Sequence, residues 1–345
     1  MKRAVILFNL GGPDSLDSVE PFLFNLFYDP AILNLPKILR YPLAKLISKK
    51  RAPTTKKIYE AIGGASPILK LTTEQANELE KKLNKENRKN IYKCFVVMRC
   101  WSPRALQVVN QVKNYKPEEI ILLPLYPQYS TSTSGSSIRE WLDVSKKNNL
   151  EIPLKKICCY PTQDEFVNSH SLLIKKNIKE FKDFRLIFSA HGLPEKNIKE
   201  GDPYQWQVEQ SVNKIVEKLN INNLDWILSY QSRVGPLKWI EPSTDNEIIR
   251  ASKENKIIVL VPVAFVSEHS ETLVELDIEY KKIAIKNGCK NYKRIPALGT
   301  TDEFINALSK LVIGTNMESN NENNYFPPKN KCPNYFIKCP CSVRI

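Results

Sequence analysis

No stretch of the 345-residue sequence approaches the roughly 20 consecutive apolar residues that a membrane-spanning helix needs. The apolar run after Met1, Lys2 and Arg3 is too short for a secretory signal and lacks a small-residue cleavage site. The net charge is +14, yet no block of about five or six like charges occurs, and no signature of nucleic-acid binding. Part of the excess is scattered Lys accompanied by Asn, which reads as a solvated surface. The 8 cysteines include no CxxC pair, which points to reduced thiols and the cytoplasm. "LGGPDS" (10–15) and "STSTSGSS" (130–137) offer donors for an anion but match no phosphate-loop motif. Histidine is scarce, at 3 residues, so any imidazole chemistry falls on very few positions.

What is present describes a globular protein. A hydrophobic fraction of 42% and a charged fraction of 26% are ordinary for one, and the length allows one large domain or two. Apolar runs at 4–10, 93–98, 120–126, 184–190, 225–231 and 256–265 read as strands, with a further candidate at 155–162. They are nearly continuous rather than alternating, as expected of parallel strands buried on both faces. Helical patterns lie between them at 14–28, 72–87, 103–114, 136–148, 164–182, 203–219, 243–254, 268–287 and 301–313. "TTEQ" (72–75) resembles a capping box, and Pro103 and Pro203 suit a first helical turn. The alternation predicts an α/β fold of two similar doubly wound halves, each a parallel sheet flanked by helices, with the active-site cleft between them. The first half is expected over 1–157 with a helix at about 300–315, the second over 158–299, and a polar tail over 316–345. Ligands of such sheets sit at the carboxyl ends of strands, so chemistry is expected in "GGPDS", "RCWSP", "HGLPEK", "SRVGPLKW" and "VSEHSE".

Residues 21–51 are rich in Leu, Ile, Phe and Pro and end in Lys49, Lys50 and Arg51. They form either a cover on the core or an amphipathic lip that touches a membrane or an apolar ligand. The tail carries Cys332, Cys339 and Cys341 without an evident fourth ligand nearby, which favours an ordinary cysteine-containing tail over a zinc or iron–sulfur site.

His170 sits within a helical pattern and reads as structural or exposed. His191 follows a buried strand directly, and Gly192 and Pro194 turn the chain after it. The strand at 256–265 delivers Glu268, His269 and Glu271 to the same end of the same sheet. A neutral imidazole and a carboxylate converging there can hold a divalent metal or act as acid and base. Two ligands are too few for a tight structural site and suit a metal in passage. On an α-helix, Glu268, Glu271, Glu275 and Glu279 share one face, where like charges repel by a few tenths of a kcal/mol per pair. Such a row is either a solvated face or a route for cations and protons. Asp277 falls off that face and reads as solvated.

The segments "LFNLGGPDS", "YEAIGGASPI", "LPLYPQYSTSTSGSS", "FSAHGLPEK", "YQSRVGPLKW" and "VPVAFVSEHSETLVELDIEY", in order from about residue 4 to 314, resemble the ferrochelatase family, whose members insert ferrous iron into a porphyrin. The resemblance implies that His191 and Glu271 hold the metal and are catalytic, and that Glu268, Glu275 and Glu279 line a metal or proton relay. It implies porphyrin contacts at Leu10, Arg51, Ser66, Met98, Arg99, Tyr129 and Trp239. The lip resembles that of members that use protoporphyrin IX and associate with membranes, which makes protoporphyrin IX the expected substrate over coproporphyrin. Protoporphyrin IX and ferrous iron are the expected partners, without nucleic acid, and with peripheral membrane contact through 21–51. Departures occur at Cys100, Ser102 and Glu268, where the family commonly has Tyr, His and Asp. Thr131 stands where cluster-containing members have a ligand, so no iron–sulfur cluster is expected, and no cofactor beyond the substrate Fe2+. The rival readings are a porphyrin or haem carrier without turnover and a basic nucleotide or RNA binder.

Overall fold

The computed structural model describes residues 1–233, 235–315, 325–326 and 332–342. The Asn-rich stretch expected as a linker after residue 315 lies outside the described residues. The chain forms two compact units, one of Met1–Tyr126, Ser130–Cys158 and Leu308–Phe326, the other of Pro127–Tyr129, Cys159–Ala307 and Pro327–Ile345.

The first unit contains β1 (Lys2–Asn9), α1 (Val19–Phe27), α2 (Lys37–Glu60), α3 (Ile68–Glu86), β2 (Ile91–Met98), α4 (Ala105–Tyr115), β3 (Glu119–Pro124), α5 (Ser134–Lys147) and β4 (Leu154–Ile157). The second contains α6 (Asp164–Ile178), β5 (Phe184–His191), α7 (Glu195–Lys199), α8 (Tyr204–Leu219), β6 (Trp226–Gln231), α9 (Thr244–Lys253), β7 (Ile257–Pro262), a π-helix (Glu271–Glu279), α10 (Tyr280–Lys286) and β8 (Tyr292–Arg294). Helix α11 (Asp302–Gly314) and the short strand β9 (Tyr325–Phe326) follow.

All strand pairs are parallel, in the orders β2-β1-β3-β4-β9 and β6-β5-β7-β8. The first four strands of each sheet thus share one doubly wound order, whose reversal point lies at β1 in one sheet and β5 in the other. The central strands explain the unbroken apolar runs. From Ala4 to Phe8 and from Leu186 to Phe188, every side chain is fully buried. In the first unit Phe8, Val97, Val108, Val112, Leu122 and Trp141 form one cluster between the sheet and α4 and α5. In the second, Ile187, Ile248, Ile258, Leu260, Leu276 and Tyr280 join the sheet to α9, the π-helix and α10. Each such side chain contributes about 1.5–3 kcal/mol by leaving water.

The structure departs from expectation in several places. Residues 21–51 are two helices, and α2 continues to Glu60 through Pro42 and Pro53. Val19, Phe22, Leu23, Ala52 and Tyr59 bury the underside of that pair, while Ile38 (86% exposed) and Leu46 (65%) stand out. One face of the pair thus covers the core, and the other lies open. Helix α3 begins at Ile68 rather than at the Thr72 capping box; the Thr72 hydroxyl instead donates to the Ile68 carbonyl and accepts from Asn9. The α-helix expected over 268–287 is a π-helix followed by α10. Strands β8 and β9, at three and two residues, carry too little pattern to read.

Candidate active site

The site is built where three neighbouring strands of the second unit end. His191 is the last residue of β5 and pairs in register with Gln231, the last of β6. The chain leaving β7 delivers Glu268, His269 and Glu271. Gly192 makes room for this convergence. A Cβ there would lie 2.9 Å from the Gln231 carbonyl oxygen and 3.2 Å from the Trp239 ring.

His191 Nδ1 donates to Glu271 Oε2 at 2.9 Å. An ionised carboxylate only accepts, so this bond places the imidazole hydrogen on Nδ1 and leaves Nε2 with its lone pair. Burial alone would lower the His191 pKa, but the Glu271 charge and hydrogen bond outweigh it and raise it. Burial likewise opposes ionisation of Glu271, yet His191, His269 and Ser232 hold its pKa down to about 2. His269 is a second imidazole, with Nε2 3.9 Å from Glu271 Oε2, and burial keeps it in its neutral form.

Glu275 lies beside the pair and is saturated with donors. Its Oε1 accepts from the Ser232 amide at 2.9 Å and the Tyr280 hydroxyl at 3.1 Å. Its Oε2 accepts from Gln231 at 3.0 Å and from the Ser232 hydroxyl. That hydroxyl also lies 3.4 Å from Glu271 Oε2, linking the two carboxylates. Desolvation and the neighbouring Glu271 charge raise the Glu275 pKa despite these bonds. Ser232 has φ +63°, a left-handed conformation costly for a non-glycine residue. The turn aims both its amide and its hydroxyl at Glu275. Ser232, Gln231 and Tyr280 were missed from sequence; their only signal was a place within "YQSRVGPLKW" and "ELDIEY".

The expected acidic row does not form one face. A π-helix has wider turns than an α-helix, and Glu271 and Glu275 alone reach the site. Glu268 precedes the helix and accepts from Arg294 Nη1 at 2.6 Å and from the Ala297 amide at 2.9 Å. Asp277, expected to be solvated, is gripped by the same guanidinium, whose Nε donates to it at 2.8 Å. Glu279 is exposed. His170 is structural: it is 2% exposed, packs edge-on against Phe166, and burial drives its pKa down to about 3.

The residues tied to porphyrin by resemblance are varied in setting. Arg51 lies over the Phe27 ring at 5.4 Å, and Ser66 donates its amide to the Pro13 carbonyl. Leu10 is half-buried against the cluster beneath α1 and α2, and Trp239 is half-buried with its indole N–H buried and unpartnered among the described residues. Tyr129 is 6% exposed, its amide donating to Gln207. Met98 and Arg99 are core residues. Met98 has no exposed surface, and the Arg99 guanidinium donates to Ser136 at 2.7 Å and meets Asp29 at 2.9 Å and Glu140 at 3.5 Å.

Cys159, on the segment after β4, reaches the cysteines at the end of the chain. Cys332 is hydrogen-bonded to Cys159 and Cys339, and Gln207 Nε2 donates to Cys332 at 3.0 Å and Cys159 at 3.3 Å. The thiol bonds, from Cys159 first, draw the Cys332 pKa down. Tertiary structure thus brings Cys159 to the cysteines near the end of the chain. Thiolates are the donors that zinc and iron–sulfur clusters take, but among the described residues no group of three or more His, Cys, Asp or Glu stands at metal-ligand geometry. No step of the chemistry is routed through these thiols.

Comparison with known proteins assigns the chain. The ferrochelatase family model matches residues 2–315. A ferrochelatase of Pelagibacter ubique is 69% identical, covering 99% of both chains, and one of Rickettsia felis is 49% identical, covering 99% of this chain and 98% of its own. Among solved structures, SirB from Bacillus subtilis with Fe3+ is similar with a TM-score of 0.53 at 12% identity, covering 91% of this chain and 95% of that one, which shows a shared fold. With a family model spanning nearly its whole length and relatives this similar along all of theirs, the chain belongs to the ferrochelatase family.

Proposed function

We propose that this protein inserts ferrous iron into protoporphyrin IX to give protohaem, releasing two protons. Membership in the ferrochelatase family makes it an enzyme that inserts a metal into a porphyrin. The observation that carries the finer reading is the 2.9 Å bond from His191 to Glu271 where neighbouring strands end. Two of the four nitrogens of a free porphyrin carry hydrogen, so each turnover exchanges two N–H bonds for iron–nitrogen bonds and sends two protons away. His191 Nε2 accepts the pyrrole proton. Its raised basicity strengthens it as a base. Glu271, ionised at every ordinary pH, receives the incoming iron and orients the imidazole. A dication at Glu271 also offsets the charge that holds a proton on His191, so metal arrival favours the basic form. As Nε2 takes that proton, Nδ1 releases its own to Glu271 Oε2, and the Ser232 hydroxyl, taking that proton as it gives up its own, passes one on to Glu275, whose raised pKa makes it the better resting place.

Bending the macrocycle exposes the nitrogen lone pairs, and binding energy from its periphery supports that strain. Leu10, Arg51, Ser66, Tyr129 and Trp239 are the proposed contacts, with Arg51 meeting a propionate by a charge-assisted hydrogen bond. Iron remains ferrous throughout, so the reaction calls for no redox cofactor. The exposed face of α2, with Ile38, Leu46, Lys49 and Lys50, supports peripheral contact with an anionic membrane.

The test is an anaerobic assay with ferrous iron and either protoporphyrin IX or coproporphyrin. Higher kcat/KM for protoporphyrin IX is expected. A preference for coproporphyrin overturns the substrate, and porphyrin binding without turnover makes the protein a carrier. Near-normal insertion by His191→Ala overturns the proton-acceptor role.

A further inference from the structure

A second concave site lies in the second unit, on β6 and α8. Trp226, Leu228 and Tyr230 alternate along β6 and so present one face. Glu209, Val212 and Asn213 face them from α8, and Glu241 closes one side. The cavity measures about 320 Å³, at the small end of ligand cavities. None of these residues takes part in the chemistry proposed above.

Three features of this cavity are incomplete. Glu209 is half-buried and accepts one hydrogen bond, from Gln205 Nε2 at 3.1 Å; among the described residues it meets no Lys or Arg. Burial raises the Glu209 pKa, the mark of a charge without compensation. Tyr230 is 1% exposed, and its hydroxyl is buried with no hydrogen-bond partner among the described residues. Buried hydroxyls are nearly always partnered, and an unpartnered one costs about 1–3 kcal/mol. The third feature is the pairing of two aromatic rings, Trp226 and Tyr230, with this acid. Ring faces are electronegative and attract cations.

A cationic ligand answers all three at once. A bare divalent metal does not. Glu241 is already engaged by Arg233 Nη1 at 2.5 Å, and a single carboxylate with a neutral phenol falls short of the six or so oxygens a hard cation takes. An ammonium fits: it is compact and presents three donors, enough for the Glu209 carboxylate and the Tyr230 oxygen together. We propose that the cavity between α8 and β6 binds a small aliphatic primary-amine cation, its ammonium held by Glu209 and the Tyr230 hydroxyl beside the Trp226 ring.

Titration calorimetry of the full chain with putrescine tests this. One saturable site is expected. Glu209→Gln weakens it at least tenfold, about 1.4 kcal/mol, and Tyr230→Phe weakens it several-fold. Tyr230→Phe removes a hydroxyl without a partner, so its melting temperature stays at or above that of the parent, and weaker binding there is not a folding defect. Absence of saturable binding overturns the proposal, as does unchanged affinity in both variants. Equal affinity for tetramethylammonium, which has no N–H to donate, overturns the ammonium contacts. Displacement of putrescine by an equal concentration of Mg2+ reassigns the cavity to a metal.

Discussion

At the scale of single residues, the His191–Glu271 pair predicts two pH dependences. His191 has a raised pKa in the fold, so its share of the pair's stability is complete below its ordinary value of 6.5 and is lost as pH rises through the raised value. Glu271 has a lowered pKa, so its share is complete above its ordinary 4.5 and is lost as pH falls towards about 2. The pair therefore stabilises most between about pH 4.5 and 6.5. Glu271→Gln should narrow the melting-temperature gap to the parent on either side of that window. Catalysis runs the other way. The acceptor nitrogen must be unprotonated, so kcat/KM is expected to rise with pH through a value above 6.5, and Glu271→Gln should move that limb to lower pH.

Arg294 is the other residue whose weight was hidden. Its side chain is 9% exposed and holds Glu268 and Asp277, which flank Glu271 and Glu275 in sequence. Arg294→Ala leaves two carboxylates without their cation and is expected to cost roughly 3 kcal/mol in chemical denaturation, near the low end for breaking a buried pair because Asp277 is partly solvated. Arg294→Lys should recover only part, since an ammonium cannot reproduce the two-pronged contact with Asp277. Glu268→Gln should lower stability more than it changes the KM for iron; a large KM effect with unchanged stability would return Glu268 to the relay.

At the scale of elements, the π-helix is the decisive one. Its hydrogen-bond pattern is less favourable than that of an α-helix, and such turns concentrate at functional sites. Here it separates a row of acids that an α-helix would have stacked. Glu271 and Glu275 face His191 and Ser232, and Glu279 is left outside. The Ser232 turn completes the arrangement. Ser232→Ala removes the hydroxyl between the two carboxylates and is expected to reduce kcat by about 10²-fold, the low end of general acid–base contributions, with little change in porphyrin KM. Helix α2 makes a separate prediction. Replacing exposed Ile38 and Leu46 by Glu should abolish cosedimentation with anionic vesicles while leaving turnover of detergent-dispersed porphyrin intact. Unchanged cosedimentation would assign membrane contact elsewhere.

At the scale of the whole molecule, the eight cysteines form no disulfide, and six of them are buried. Cys94 and Cys341 are partly accessible, but burial pushes the Cys94 thiol well up, so Cys341 should react faster with a thiol reagent in the native protein than Cys94, and all eight should react after unfolding. The sheets were legible in sequence because a parallel strand buried on both faces leaves an unbroken apolar run, and β1 and β5 are such strands. Strands β8 and β9 were not, being too short to carry a period. The meeting of His191 and Glu271 was legible because each follows such a run, at the strand ends where a doubly wound sheet gathers side chains. What sequence could not decide was which carboxylate meets which partner. Glu268 and Asp277 looked like a relay member and a bystander, yet Arg294, seventeen or more residues away, claims both. Cys159 and Cys332 stand far apart in the chain and meet through Gln207. Apolar periodicity is local and is written along the chain. Charge pairing and thiol contact act across a few ångströms of space, and only the folded chain sets those distances.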